Sequence, residues 1–252
     1  MSLGDAAPVL IGNPVSPYVR KVLVACALKG LKPRLDPIVP FMGSDDFTAV
    51  SPLRRVPVWI DDEVTLSDSS VILEYLDDRY PLPSLRPEGR AERAKARWLE
   101  EYADTRMGDV FLWRLFYQAV IRPFVWKELT DQAVVDQARN VDGPEIFDYL
   151  ERQLPEDGFF FGALSNADVA VGSFFANARW ARYEPDTERW PKLAAWLQKL
   201  DKESPLGALN RAASKVLKVH PADYRTLLPA LGFEISDRTW GGAKPRPGVM
   251  SI

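Results

Sequence analysis

A short proline-rich segment constrains the fold most, because it separates two parts of the chain that have different hydrophobic patterns. Residues 81–87 contain three prolines. Proline removes an amide donor and restricts the residue before it, so a helix cannot continue through this segment. Before it, short apolar runs alternate with helical patterns, and after it no strand pattern is convincing. The sequence therefore predicts an α/β domain followed by an all-α domain.

The first eighty residues have the pattern of a layered α/β domain with the order β-α-β-α-β-β-α. We predict strands over residues 9–12, 34–39, 58–60 and 64–66. Helices are predicted over 17–29 and 45–50, with a third beginning at Asp68 or Ser69. Asp61-Asp62 separates the last two strands and predicts a tight turn between them.

The remainder of the chain predicts a helical domain. Amphipathic segments cover about residues 88–122, 131–154, 167–183, 191–203 and 206–219. The residues 142–144 (Asp-Gly-Pro) are expected to break or kink the second segment, and the S-x-x-D pattern of residues 165–168 predicts a capped start for the third. We expect domains at 1–82 and 92–219, a linker at 83–91, and a tail at 220–252 that packs on the body.

Composition excludes several classes of function. The 252 residues carry a net charge of -3 and have a pI near 5.4, with acidic and basic residues well mixed, so neither nucleic acid nor a membrane is an expected partner. One cysteine and one histidine cannot build an intrachain disulfide or a Cys/His metal cluster. The N-terminus lacks the regions of a signal peptide, and no apolar run reaches about 18 residues. We therefore expect a soluble, cytoplasmic protein without a metal.

The segment 13–22 (Asn-Pro-Val-Ser-Pro-Tyr-Val-Arg-Lys-Val) sets a hydroxyl where a strand ends and a helix begins. Ser16 is placed to be the N-cap and Pro17 the first helical residue. The apolar residues that follow indicate a buried helix whose positive end faces Ser16, where an anion or a thiolate could bind. The alternative is a structural N-cap that meets no substrate.

Two more short segments, together with the Ser16 segment, form a recognisable combination of sequence motifs. Val56-Pro57 precedes the predicted hairpin, and Asp68-Ser69 begins the third helix. With Ser16, the proline-rich linker, the S-x-x-D box and the segment 190–196, these features make the chain resemble the cytosolic glutathione transferases. The resemblance extends to about residue 215 and implies a thioredoxin-like first domain followed by the helical one.

The resemblance implies a role for each segment. Val56, before a cis Pro57, would pair its backbone with the cysteinyl unit of glutathione, and Asp68-Ser69 would hold the γ-glutamyl end. Arg55 lies where many members carry a basic group near the glycyl carboxylate. From the residues alone, three other readings stay open. Pro57 could begin an edge strand, Asp68-Ser69 could simply cap a helix, and Arg55 could be exposed.

Ser16 aligns with the serine of the S-P-[FY] motif in tau-like members, where omega-like members place cysteine. Cysteine could form a mixed disulfide with glutathione, whereas serine can only donate a hydrogen bond to its thiolate, so conjugation is favoured over disulfide reduction. Lowering a thiol pKa by about two units requires about 2.7 kcal/mol. One charge-assisted hydrogen bond contributes about 1.5 to 3 kcal/mol, and a helix N-terminus adds about 0.3 to 1 kcal/mol.

Two departures from the family pattern predict weak glutathione binding. Arg54 stands where members usually have glycine, and residues 40–43 (Pro-Phe-Met-Gly) replace a basic residue that often follows the second strand.

The first long helix of the second domain carries aromatic residues that could contact a second substrate, although such a stripe is more typical of a core: Trp98, Tyr102, Trp113, Phe116 and Tyr117.

We therefore expect a homodimeric detoxification enzyme that binds glutathione and activates its thiolate for attack on a small hydrophobic electrophile. Two alternatives stay open. One is isomerase, dehalogenase or ether lyase chemistry with the same thiolate. The other is a non-catalytic binding scaffold.

Overall fold

The chain divides into two compact units. The computed structural model describes residues 7–246. The first unit contains the described residues up to Pro83 and from Ala208 onward, and the second runs from Ser84 to Gly207. Residues 208–219, predicted to end the helical domain, are thus grouped with the first unit. Residues 1–6 of the predicted first domain and 247–252 of the predicted tail lie outside the described residues.

The first unit contains a four-stranded mixed sheet. Its strands are β1 (Val9–Ile11), β2 (Arg34–Asp36), β3 (Val58–Ile60) and β4 (Thr65–Ser67), in the order β2-β1-β3-β4. β1 is parallel to β2 and antiparallel to β3, which is antiparallel to β4. β2 ends three residues before the predicted Val39, because the Ile38 N–H turns back to the Asp36 carbonyl at 2.8 Å.

Three helices complete the α/β pattern: α1 (Pro17–Leu28), α2 (Asp45–Val50) and α3 (Ser69–Arg79). α1 packs on α3, and the apolar faces of both helices are buried with the central strands. A buried ion pair joins the ends of these helices, since Lys29 Nζ lies 2.7 Å from Asp77 Oδ1. The predicted order β-α-β-α-β-β-α is confirmed.

The second unit is helical, as predicted. α4 (Arg90–Tyr102) continues directly into a π-helical stretch, Ala103–Trp126. α5 (Gln132–Gln137) is joined by π-helical residues Ala138–Asp142 to α6 (Gly143–Gln153), and α7 (Asn166–Trp180) and α8 (Pro191–Glu203) follow. The predicted break at residues 142–144 is instead a change of helix type. Pro144 lies in the first turn of α6, where a missing amide donor is tolerated.

Asp168 explains why α7 begins where it does. This fully buried carboxylate accepts hydrogen bonds from the Ser165 backbone N–H at 3.0 Å and from the Ser165 hydroxyl at 2.8 Å. It also accepts from the Phe160 N–H at 3.0 Å and from Trp196 Nε1 at 2.9 Å. The predicted capping box is therefore present, and Asp168 also joins α7 to a preceding loop and to α8.

The chain after α9 (Pro205–Val216) returns to the sheet. α10 (Tyr224–Leu227) lies between two short 3₁₀ turns, Pro221–Asp223 and Leu228–Leu231. An extended segment then runs parallel to β2. The Leu35 N–H donates to the Glu234 carbonyl at 2.8 Å, and the Ser236 N–H donates to the Leu35 carbonyl at 3.0 Å. Within residues 7–246, no helix combines the length and the apolar character that crossing a membrane requires.

Candidate functional site

Three loops leave one end of the sheet together. Ile11, the last residue of β1, pairs with Val58, the first residue of β3, and Val58 pairs with Ser67 at the end of β4. The segments that carry Ser16, Val56-Pro57 and Asp68-Ser69 adjoin these three strand ends. The structure therefore brings the three predicted segments to the same end of the sheet.

Gly12 allows the first two of these segments to approach closely. Its φ is +133°, in the region that favours glycine, and a Cβ atom here would lie 2.5 Å from Val19 Cγ2 and 3.0 Å from Val56 Cβ. A side chain at this position would push the start of α1 away from the Val56 loop.

Ser16 is the N-cap of α1. Its backbone is extended and its hydroxyl oxygen accepts the Val19 N–H at 3.4 Å, a long and therefore weak bond. The side chain is half-buried. In the part of the chain that the structure describes, no acceptor is found for the hydroxyl hydrogen. The arrangement can thus donate a hydrogen bond to an anion at the positive end of α1.

Two buried residues that the sequence analysis did not assign hold the Ser16 loop. Asn13 donates to the Ile38 carbonyl at 2.9 Å and accepts the Val15 N–H at 3.0 Å. Arg20 is fully buried and donates to the carbonyls of Pro14 at 2.7 Å and Val15 at 2.9 Å. Burial lowers the pKa of Arg20 to about 9. Asn13 preceding a proline is a recognisable turn signal, whereas nothing local marks Arg20 as buried.

The Val56–Pro57 peptide bond is cis. Val56 is buried, and β3 begins only at Val58. Within the described residues, neither the N–H nor the C=O of Val56 has a hydrogen-bond partner. A peptide in an extended conformation could therefore pair with this backbone in the manner of an added strand.

Asp68 and Ser69 lie at the start of α3. Asp68 is the exposed N-cap, and its Oδ1 accepts the N–H groups of Ser70 at 2.9 Å and Val71 at 3.2 Å. Its φ of +98° is rare for a residue with a side chain. Ser69 is buried. Capping is thus present at Asp68, and it leaves the second carboxylate oxygen available to a cationic group.

Arg54 and Arg55 differ sharply in their surroundings. Arg54 is buried, has a φ of +50° and donates to the carbonyls of Gly43 at 2.8 Å and Ser44 at 3.3 Å and to Thr48 Oγ1 at 2.6 Å. The Arg55 side chain is exposed, while its backbone N–H and C=O both bond to Ser51 Oγ. Only Arg55 is free to reach a ligand.

The aromatic residues on the long helix of the second unit separate into two groups. Trp98 is 55% exposed and donates to the Tyr149 hydroxyl at 2.7 Å. Tyr102 packs on the Tyr149 ring with centroids 4.5 Å apart, and burial raises its pKa to about 12. Phe116 is buried against Trp180 and belongs to the core.

Comparison with known families identifies the superfamily. Residues 10–84 match the glutathione S-transferase N-terminal domain and residues 132–199 match the glutathione S-transferase C-terminal domain, together more than half of the chain. The chain belongs to the glutathione S-transferase superfamily. Both halves of a glutathione S-transferase are thus present, and the three loops described above lie within the N-terminal match.

Individual glutathione S-transferases resemble the chain over most of its length. Glutathione S-transferase U3 of Arabidopsis thaliana is 26% identical over 206 residues, which are 76% of this chain and 83% of that protein. A Methylobacillus flagellatus KT glutathione S-transferase, solved with glutathione bound, is 26% identical with a TM-score of 0.67, covering 81% of this chain and 98% of that one.

A second kind of relative matches only about a third of the chain. The stringent starvation protein A homolog of Haemophilus ducreyi is 36% identical over 80 residues. This match covers 32% of the present chain and 37% of that protein.

Within the described residues, no group of three or more His, Cys, Asp or Glu side chains is arranged to hold a metal ion.

Proposed function

We propose that this protein binds reduced glutathione at the three loops of the first unit and activates its thiol for attack on a small hydrophobic electrophile. Ser16 stabilises the thiolate. Val56 and Pro57 receive the cysteinyl backbone, Asp68 and Ser69 hold the γ-glutamyl end, and Arg55 pairs with the glycyl carboxylate. Glutathione is a co-substrate here, and no metal takes part.

The observation that carries the proposal is the alignment of Ile11, Val58 and Ser67 across the sheet. It brings a hydroxyl donor, a backbone without a partner and a helix start to one place. These groups match the three chemical parts of an extended tripeptide, which are a thiol, a peptide backbone and a charged end. The glutathione bound to the Methylobacillus flagellatus relative supports the same ligand.

The thiolate is the productive form because it is the nucleophile. The thiol proton leaves for solvent when glutathione binds, and the Ser16 hydroxyl then donates a hydrogen bond to the sulfur anion, which keeps its negative charge. When the sulfur attacks an activated aryl chloride, a carbon–sulfur bond forms and chloride leaves with the electron pair of the broken bond. Serine cannot become part of a disulfide, so conjugation is favoured over thiol exchange.

The environment of Arg54 weakens the case for a non-catalytic scaffold. Glycine is favoured at a positive φ, and Arg54 occupies that conformation with a φ of +50°. Its guanidinium group points into the protein and bonds to Gly43, Ser44 and Thr48. The substitution is therefore accommodated within the fold, and Arg55 stays exposed for a ligand.

Calorimetry with glutathione tests the proposal. We expect saturable binding to the wild-type protein and about tenfold or greater weakening in Ser69→Ala, since a hydrogen bond to a charged group contributes about 1.5 to 3 kcal/mol. Ser84→Ala, at an exposed position, is the matched control and should bind normally. Absence of binding at millimolar glutathione would overturn the proposal and favour a scaffold.

We also infer a cytoplasmic homodimer with a role in detoxification, and a domain division at residues 82 and 92. The family resemblance supports the homodimer, the role in detoxification and the domain division. The single free, buried cysteine supports a reducing compartment such as the cytoplasm.

A further inference from the structure

The C-terminal segment 233–242, named here the tail strand, extends the sheet beyond β2. It pairs with β2 at Leu35 and then follows the β2–α2 loop, residues 37–44. The Ser44 N–H donates to the Trp240 carbonyl at 2.8 Å, and the Gly242 N–H donates to the Met42 carbonyl at 2.6 Å. Trp240 is buried. A segment outside both family matches thus covers part of the unit that holds the candidate site.

Asp36 anchors the tail strand. It is fully buried at the end of β2, and its Oδ2 accepts the Trp240 N–H at 2.8 Å and the Thr239 hydroxyl at 3.3 Å. Its Oδ1 accepts from Arg225 at 2.9 Å. Burial raises the pKa of Asp36, while the three donors oppose that rise. A buried carboxylate with this set of donors holds a specific partner segment in one position.

The β2–α2 loop is connected to two segments of the candidate site. Asn13, in the Ser16 loop, donates to the Ile38 carbonyl. Arg54, two residues before Val56, donates to the carbonyls of Gly43 and Ser44. Asp36 itself pairs with Ile11 in the sheet, on the same line as Val58 and Ser67. Displacement of the loop would therefore move the backbone that is expected to meet glutathione.

We propose that the tail strand helps to form the glutathione site. Asp36 is the positioning residue through which the tail strand holds the β2–α2 loop in place. The proposal rests on the proposed function. It assigns to the C-terminal segment the role of keeping the Arg54–Val56 backbone in the conformation that binds the peptide. The sulfur end depends on it less, because Arg20 and the first turn of α1 hold the Ser16 loop in addition to the Asn13 bond.

The test compares Asp36→Asn with Asp237→Asn. Asp237 also joins the tail strand to β2, through Arg34 at 3.3 Å, but its side chain is 97% exposed, so this pair contributes little. We expect Asp36→Asn to raise the Kd for glutathione about tenfold, because a loop that is no longer preorganised must be ordered on binding. The turnover rate with an activated aryl chloride at saturating glutathione should stay within about twofold. This result is expected when the lost interaction contributes equally to the ground state and the transition state. Asp237→Asn should match the wild type in both.

Amide hydrogen exchange provides a readout that does not need glutathione. In Asp36→Asn, the Ser44 amide should exchange faster than in the wild type, while the amides of β3 should not change. Should Asp36→Asn fail to fold, Thr239→Val removes one donor to the same carboxylate and should raise the Kd about threefold.

The outcomes separate the two proposals. Faster exchange at Ser44 with an unchanged Kd would overturn the positioning role while leaving the glutathione site intact. Equal loss of turnover and affinity would also overturn it, because the substitution would then also disturb the groups that stabilise the glutathione thiolate. A wild-type protein that binds no glutathione would overturn the proposed function itself, and with it this inference.

Discussion

At the scale of single residues, burial decides the chemistry of Cys26. Its side chain is 1% exposed, and burial raises the pKa of the thiol to about 12. At pH 8 the thiolate is then only about one part in ten thousand. We predict that a disulfide reagent leaves the folded protein unmodified at pH 8 and reacts with one thiol per chain after unfolding in urea. Rapid modification without denaturant would contradict this environment.

Replacing Arg54 by glycine has two opposing effects on the stability of the protein. Glycine would relieve about 1 kcal/mol of left-handed backbone cost, whereas loss of the guanidinium removes bonds worth about 1.5 to 3 kcal/mol each. We predict that Arg54→Ala is the least stable variant, that Arg54→Gly recovers about 1 kcal/mol of that loss, and that both lie below the wild type. Arg55→Ala, at the exposed neighbour, should stay within about 0.5 kcal/mol. Urea unfolding measures all four, and an Arg54→Gly protein as stable as the wild type would refute the structural role of the side chain.

At the scale of elements, the start of α7 depends on one carboxylate. Asp168 accepts four hydrogen bonds. In an asparagine, the side-chain NH₂ group would replace one acceptor oxygen and would face N–H or O–H groups that are themselves donors. We predict that Asp168→Asn lowers the free energy of unfolding by about 2 to 4 kcal/mol. Asp157→Asn changes a carboxylate that is 92% exposed and should have almost no effect. Equal stability of the two variants would contradict this account of the capping box.

Elements with local signals could be predicted from the sequence. Ser16-Pro17 indicated the start of α1, and the pattern of residues 45–50 indicated α2 with the bounds the structure has. The π-helical stretch from Ala103 could not be predicted, because π-helices are rare and usually no longer than a single turn. The sequence predicted that the tail packs on the body, but not that it pairs with β2, since Asp36 and Trp240 are 204 positions apart in the chain. Arg54 was missed as a buried residue because arginine is usually exposed.

At the scale of the whole molecule, the superfamily predicts an assembly of two chains. We expect sedimentation equilibrium to give twice the chain mass of 28.4 kDa, because symmetric dimers are the commonest oligomers and are typical of this family. A single species with the mass of one chain would contradict the homodimer and leave the glutathione site unaffected.

The central claim is that one hydroxyl group at the start of α1 stabilises the thiolate of bound glutathione. The most direct measurement is the ultraviolet thiolate absorbance of the saturated complex as a function of pH, for the wild type and for Ser16→Ala. Asp131→Ala serves as the control, because Asp131 caps α5 by accepting the Val134 N–H at 3.3 Å in the second unit.

We predict that the wild type and Asp131→Ala bind glutathione with a thiol pKa about two units below its free value, and that Ser16→Ala still binds but returns that pKa upward by at least about one unit. A Ser16→Ala complex that has the same thiol pKa as the wild type would contradict the claim.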